Sequence, residues 1–472
     1  MNQGSRREFI RASLLAAGAA GLGLAGLNAC RGSGLPPPTH PALGPLKPVR
    51  DETTGLALLK LPEGFRYRTL AWAGQVMSDG FPGPQRCDGM GVVGSAGQRI
   101  TLVRNHELRG SAGPIGRAET AWDNTGGGTT TLVFNTRTEL LEELYISLNG
   151  TLNNCAGGVT PWGSWLSCEE SVLTPDRMRF GIQPRQRHWR IEHARKPHGY
   201  VFEVKPGEKG MPQPIEAMGQ FYHEAAAVDP DTGTVYMTED TRPQAGLYRF
   251  IPEIPGQLQA GGALQMMRVP GHSELRDSVS LFSPMQVEWV DIEEPGRGHS
   301  PGTHDAMGIV LQGLRAGGTA FRALEGCTFH EGQLYFTAKD SGAARRGLVF
   351  RYEPSLATLE VIYEAGPGDQ FSGPDNIVVS PRGSLLICED REASNKTGQY
   401  LAGLTTAGEL FAFCQVNPDL SGTYAGHVLG RTARDSEWAG ACFSPDGEWM
   451  FANVFVPGCT CAITGPWVEG VI

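Results

Sequence analysis

The chain has 472 residues, a formal net charge of −10, 64 glycines and 33 prolines. The acidic balance argues against a nucleic-acid partner, which would need a basic surface. Glycine and proline at this level favour many short strands joined by tight turns over helices, and all-β propellers run long as one unit.

The N-terminus addresses the protein. Ser5-Arg6-Arg7-Glu8-Phe9-Ile10 precedes an Ala/Gly/Leu-rich stretch from Ala12 to Ala29, and a twin arginine before a weakly apolar segment marks Tat export. Residues 1–30 therefore read as a signal peptide handled by the Tat machinery, with the mature protein periplasmic, cell-surface or extracellular. Leu27-Asn28-Ala29-Cys30 has the outline of a lipobox, with Asn28 unusual in it. Lipidation of Cys30, the one expected route to a membrane, and simple cleavage stay open as alternatives. Residues 31–50, with Pro36-Pro37-Pro38, read as a flexible linker. The domain is expected over 51–472, acting as a monomer.

Six related segments follow in order: 87–107, 155–170, 223–240, 325–340, 374–390 and 438–454. Each starts with a polar or acidic residue and a small one, then runs into an apolar strand. A tight turn and a second apolar strand follow, closing in most copies on Glu, Asp or Asn. Hairpin pairing sets the first and last residues of a copy side by side, so Glu224 is expected beside Glu239, Glu325 beside Asp340 and Asp375 beside Glu389. Six such hairpins, their last residues 50 to 100 positions apart, predict an all-β, six-bladed β-propeller with insertions between blade strands, as at 176–200 and 253–305. Arranged radially, they point acidic and amide groups at one axial site, which is a metal site.

Nine cysteines remain after Cys30, an odd and scattered set. Cys87, Cys155, Cys327 and Cys442 sit near the first strand of their copies and read as small buried apolar residues. Cys168 precedes Glu169 and Glu170 at a second-strand end, where other copies carry the polar closing residue. A thiolate beside carboxylates needs a cation. Sulfur favours iron or zinc, and the surrounding oxygens suit calcium and ferric iron.

The runs NCAGGVTPWGSWLSCEES, YHEAAAVDPDTGTVYMTED and PDNIVVSPRGSLLICEDR, with RNHE, EGCTF and WAGACFSPDG, resemble the PhoX family of bacterial alkaline phosphatases over about residues 53–467. The resemblance implies a six-bladed propeller, a cluster of two Fe³⁺ and three Ca²⁺ joined by an oxo group, and hydrolysis of phosphate esters, chiefly monoesters. It implies that Cys168 is the thiolate on iron and Glu169 the acid beside it. Glu224, Glu325, Asp375 and Glu389 become carboxylates shared between iron and calcium. Glu107, Glu239 and Asp240 become calcium ligands or groups supporting them. The chain is shorter than the larger phosphatases of that family, and no phosphate-binding Arg/Lys pair matches.

Lys339, Arg391 and Arg242 stand at the same strand ends as the acids, where a cation binds phosphate or balances a carboxylate. His106 and His223 read as hydrogen-bonding supports of neighbouring ligands, and His198 as structural. Gly126-Gly127-Gly128 lacks the ending of a phosphate loop and reads as a turn entering a strand. Small phosphate esters are the expected substrates. The rival readings are a calcium-dependent propeller lactonase or organophosphate hydrolase, and a non-catalytic calcium-stabilised binding propeller.

Overall fold

In the computed structural model, residues 36–109, 113–174, 193–208, 211–277, 279–303, 305–391 and 397–472 are described. The signal-peptide and lipobox residues, Arg6, Arg7 and Cys30, lie outside them.

Six antiparallel sheets stand around one axis, and each copy found in the sequence forms the two inner strands of one sheet. Blade one is Cys87–Ala96, Arg99–His106, Gly127–Asn135 and Leu140–Thr151. Blade two has three strands, Asn154–Val159, Trp165–Glu169 and Val201–Val204. Blade three is His223–Val228, Val235–Glu239, Leu247–Pro252, Gly262–Arg268 and Glu288–Asp291. Blade four is Leu324–His330, Gln333–Ala338, Leu348–Glu353 and Thr358–Glu364, with Met285–Gln286 at its outer edge. Blade five is Pro374–Val379, Leu385–Glu389, Tyr400–Leu404 and Leu410–Val416. Blade six is Trp438–Phe443, Met450–Val454 and Cys459–Thr464, closed by Arg66–Leu70 from the start of the domain. The innermost strands touch in sequence, and that of blade six meets that of blade one. The predicted six-bladed, nearly all-β propeller is the observed fold.

The linker expectation is corrected for residues 36–50. Lys47–Val49 pairs with Leu59–Leu61, which adds to the outer edge of blade five. Leu43 is buried, and Pro38 accepts the Ala412 N–H. An open sheet edge offers unpaired backbone groups, and this segment covers one.

Blades pack face to face, so most inner strands are apolar on both sides. Val235–Glu239 and Leu385–Glu389 are buried throughout, as strands covered on both faces must be. Aromatic rings fill the wedges. Phe134 of blade one meets Trp449 and Phe451 of blade six at 5.0 and 5.4 Å between centroids, and Phe413 of blade five stacks near Trp467 at 5.7 Å.

The feature that positions the site is a slip of ladder register near the start of every innermost strand. It falls at Cys87/Met90, Asn154/Gly157, His223/Ala226, Leu324/Cys327, Pro374/Ile377 and Ala439/Cys442. A bulge re-aims side chains out of the pleat. The residue that follows is Asp88, Cys155, Glu224, Glu325 or Asp375 in five blades and Gly440 in the sixth. The next residue is glycine or alanine in five blades, where the strands converge, and Asn376 in blade five. A Cβ on Gly89 would lie 2.5 Å from Ala156 Cα, and one on Gly326 would lie 2.6 Å from Asn376 Cα.

Candidate metal centre

The bulge residues and the residues just beyond the second strands meet in one axial cavity of about 460 Å³. The bulges supply Asp88, Cys155, Glu224, Glu325 and Asp375, and the strand exits supply Glu107, Glu170, Asp240, Lys339 and Asp390. Glu437 enters ahead of blade six, and Arg86, Arg109 and Arg242 complete the charged lining with Tyr222, Trp438 and Phe455 at its edges. Nine carboxylates and one thiol thus face four cations.

Four cations leave the carboxylates under-neutralised. Arg109 pairs with Glu107 and lies 3.3 Å from Glu170. Arg242 lies 2.8 Å from Asp240 and 3.0 Å from Asp340. Lys339 pairs with Asp390 and lies 3.4 Å from Asp375. Burial, then the Glu325, Asp375, Glu170 and Asp88 carboxylates, push the Glu224 carboxyl well above its usual range. Burial and Asp375 do the same to Asp88, and burial and Asp390 to Glu437. Burial lifts Asp375 to about 6 against the pull of Lys339. Burial would raise Asp390 too, yet Lys339 draws it below the ordinary range. Like charges this close ionise together only with added cations.

The donor atoms fit metal ions. Glu107, Cys155 and Glu170 form one group whose ligand atoms lie within 4.8 Å of one another, Asp88, Glu107 and Glu437 a second, and Glu224, Glu325 and Asp375 a third. Glu325 Oε1 is buried without a hydrogen-bond partner. A ring of carboxylate oxygens suits calcium, and a single thiol among them suits a transition metal such as iron.

The structure places Glu107, Glu224, Asp240, Arg242, Glu325, Asp375 and Lys339 at the cavity and corrects the placement of Cys168, Glu169, Glu239, Glu389 and Arg391. Cys168 is fully buried, packed in the apolar core with Leu166, Val201 and Phe221. It stands one residue before the last paired position of its strand. From that position in other blades Asn105, Thr337 and Asn453 hold the next blade's bulge carbonyls, at Cys155, Asp375 and Asp88. The thiol in the cavity is Cys155, which the sequence reading had put in the core.

Glu169 pairs in register with Asn154, Glu239 with His223 and Glu389 with Pro374. Their carboxylates turn away from the axis and accept backbone N–H groups: Glu169 from Gly199 and Tyr200, Glu239 from Gly246, Glu389 from Ser372 and Tyr400. Arg391 donates to the carbonyls of Gln370 and Gly398 and to the Thr397 hydroxyl, away from the cavity lining. Asp340 ties Arg242 and Arg322.

The sequence reading missed Asp88, Cys155, Glu170, Asp390 and Glu437 as site residues. For Glu170 and Asp390 the signal was parity: successive side chains alternate faces, so the residue after an acid that turns away from the axis, Glu169 or Glu389, is the axial one. His106 bonds the Gln85 carbonyl and the Thr130 hydroxyl, and His223 the Gly219 carbonyl; both lie behind the site.

A family model described as alkaline phosphatase PhoX matches residues 43–458. Among curated proteins, none matches the chain in sequence. A solved structure of Pseudomonas fluorescens PhoX in complex with vanadate, a transition state analogue, superposes with a TM-score of 0.64 and 18% identity, covering 89% of this chain and 98% of that one. A gluconolactonase from Xanthomonas campestris covers 90% of this chain and 98% of its own at 13% identity, with a TM-score of 0.42. The family match spans nearly the whole propeller, and the chain belongs to the alkaline phosphatase PhoX family, a family of phosphoric ester hydrolases.

Proposed function

We propose that the chain hydrolyses phosphate monoesters in the axial cavity with a mixed iron–calcium cluster. We further propose that it is exported by the Tat route to the periplasm or cell surface, where it acts as a monomer. The observation that carries the metal reading is the convergence of nine carboxylates and one thiol from the blades against four cations. Cys155 with Glu107 and Glu170 would hold iron. The all-oxygen groups around Asp88 and Glu437, and around Glu224, Glu325 and Asp375, suit calcium. When bound, such cations polarise phosphoryl oxygens and lower the pKa of water.

The chain's own groups do the rest. Arg86, Arg109, Arg242 and Lys339 ring the cavity and would hold the phosphoryl oxygens in place, a guanidinium offering paired N–H donors to them. Trp438 and Phe455 form apolar walls that limit water at the reacting centre. The Thr241 hydroxyl donates to the Gln244 carbonyl, so it is committed elsewhere.

The test pairs elemental analysis with turnover of p-nitrophenyl phosphate and of a lactone. Iron with calcium, and turnover of the phosphate ester, is the expected result. Calcium alone, with turnover of the lactone only, would overturn it.

A further inference from the structure

Blade two differs from its neighbours in what stands behind its axial groups. Glu169 is fully buried and ladder-paired with Asn154, so it is one residue away from Glu170 and one rung from Cys155. Its Oε1 accepts from the Leu152 N–H at 2.8 Å, and its Oε2 from the N–H groups of Gly199 at 2.7 Å and Tyr200 at 3.2 Å. His198 Nδ1 lies 2.7 Å from Glu169 Oε1, and its Nε2 lies 3.2 Å from Asp123 Oδ2. Asp123 in turn accepts from the backbone N–H groups of Arg195 and Lys196. Asn153 donates to both the backbone carbonyl and the Oε2 of Glu170.

Both ring nitrogens of His198 face carboxylates, so both donate and the ring is a cation. Burial opposes that charge, but Glu169 and Asp123 carry the His198 pKa up to about 9. The counterpart acids lack such support. Glu239 accepts from Gly246 and Tyr248 and leaves Oε1 without a partner. Glu389 has backbone donors, with Arg391 no nearer than 3.7 Å. The blade with the strongest anchor is the one that supplies the cavity's thiol.

We propose that His198 is a positioning residue: held by Asp123 and acting through Glu169, it fixes Cys155 and Glu170 at the separation that a thiolate-bound transition metal requires. The inference rests on the metal reading of the cavity. Charge-assisted hydrogen bonds at both ends of one ring fix its rotation, and Glu169 passes that fixity to segments 152–155 and 169–170. Groups behind a ligand tune its affinity in this way.

The probe is Co²⁺ added to the metal-stripped full chain, followed by thiolate-to-cobalt absorption. His198→Gln is expected to weaken Co²⁺ binding by about 10- to 100-fold and to shift or bleach the band, while the calcium-dependent rise in Tm remains. Asp123→Asn is expected to weaken binding in the same direction by less, and it decides the matter by the same readouts if His198→Gln does not fold. An unaltered band and affinity in a folded variant would overturn this inference and leave the metal reading standing. No thiolate band in the unsubstituted chain would overturn the metal reading and this inference with it.

Discussion

Cys155 Sγ lies 3.2 Å from Glu224 Oε1, a thiol of blade two against a carboxylate of blade three. Asp88 Oδ2 is 3.6 Å away on the other side. Burial and these two carboxylates push the thiol well above its usual pKa, so it ionises only when a metal takes the proton's place. Cys155→Ser is therefore expected to remove iron and its thiolate absorption band. Cys168→Ala should keep both, at a cost of about 1 kcal/mol in stability. Absorption spectra and elemental analysis of the two variants check the assignment, and loss of the band in Cys168→Ala alone would return the ligand role to that residue.

Calcium removal should act on fold and activity together. A ligand bound by the folded state alone stabilises it by about 2.7 kcal/mol at a hundredfold excess over Kd. Dialysis against EGTA is expected to lower the Tm and abolish phosphatase activity, and calcium to restore both. Magnesium should restore them poorly, since it demands tighter octahedral geometry. Calorimetry and a rate assay on the same sample read the result.

The metal-free protein should lose stability as pH rises. Burial lifts Asp375 to about 6 against the pull of Lys339 and Glu239 to about 8 against its hydrogen bonds from Tyr248 and Gly246, and burial opposed by Arg391 leaves Glu389 at about 7. These groups keep protons in the folded chain that the unfolded chain has released above its ordinary carboxyl pKa of about 4. The folded state then binds more protons, and stability falls with pH across the window from about 4 to about 8. His198 adds the same sign at higher pH: its contribution is complete below its unfolded pKa and is lost as pH rises through about 9. Denaturation midpoints of the stripped and loaded protein from pH 4 to 9 should diverge, the loaded curve being flatter.

Convergence of the inner strands makes their small residues critical. Gly89→Ala places a methyl 2.5 Å from Ala156 Cα, a backbone contact that forces one of the two strands to shift. The expected cost is about 1–3 kcal/mol, measured as a lower Tm. Gly97→Ala is the contrasting substitution, because nothing lies within 4 Å of its added Cβ and only its positive φ of 60° opposes the methyl.

Export is tested by Arg6→Lys with Arg7→Lys. Cell fractionation should find the double variant in the cytoplasm, and delivery at the unsubstituted level would mean that the twin arginine is not the export signal.

The sequence by itself determined the number of blades and their sheet-forming segments. Six apolar hairpins with tight turns have one economical way to bury both faces of each sheet, and the copies at 87–107 through 438–454 became the inner hairpins of the six blades. It also placed an acid cluster on the axis, because the strand ends of a propeller meet there. What it left open was which of two adjacent residues faces inward. A register slip in each innermost strand, between Asn154 and Gly157 in blade two for example, turns Cys155 to the axis. Alternation along the next strand then sends Glu169 outward and Glu170 in. A shift of one residue exchanges the two faces, and the slip itself is set by the packing of strands against their neighbours. Only the folded ring decides between Cys155 and Cys168.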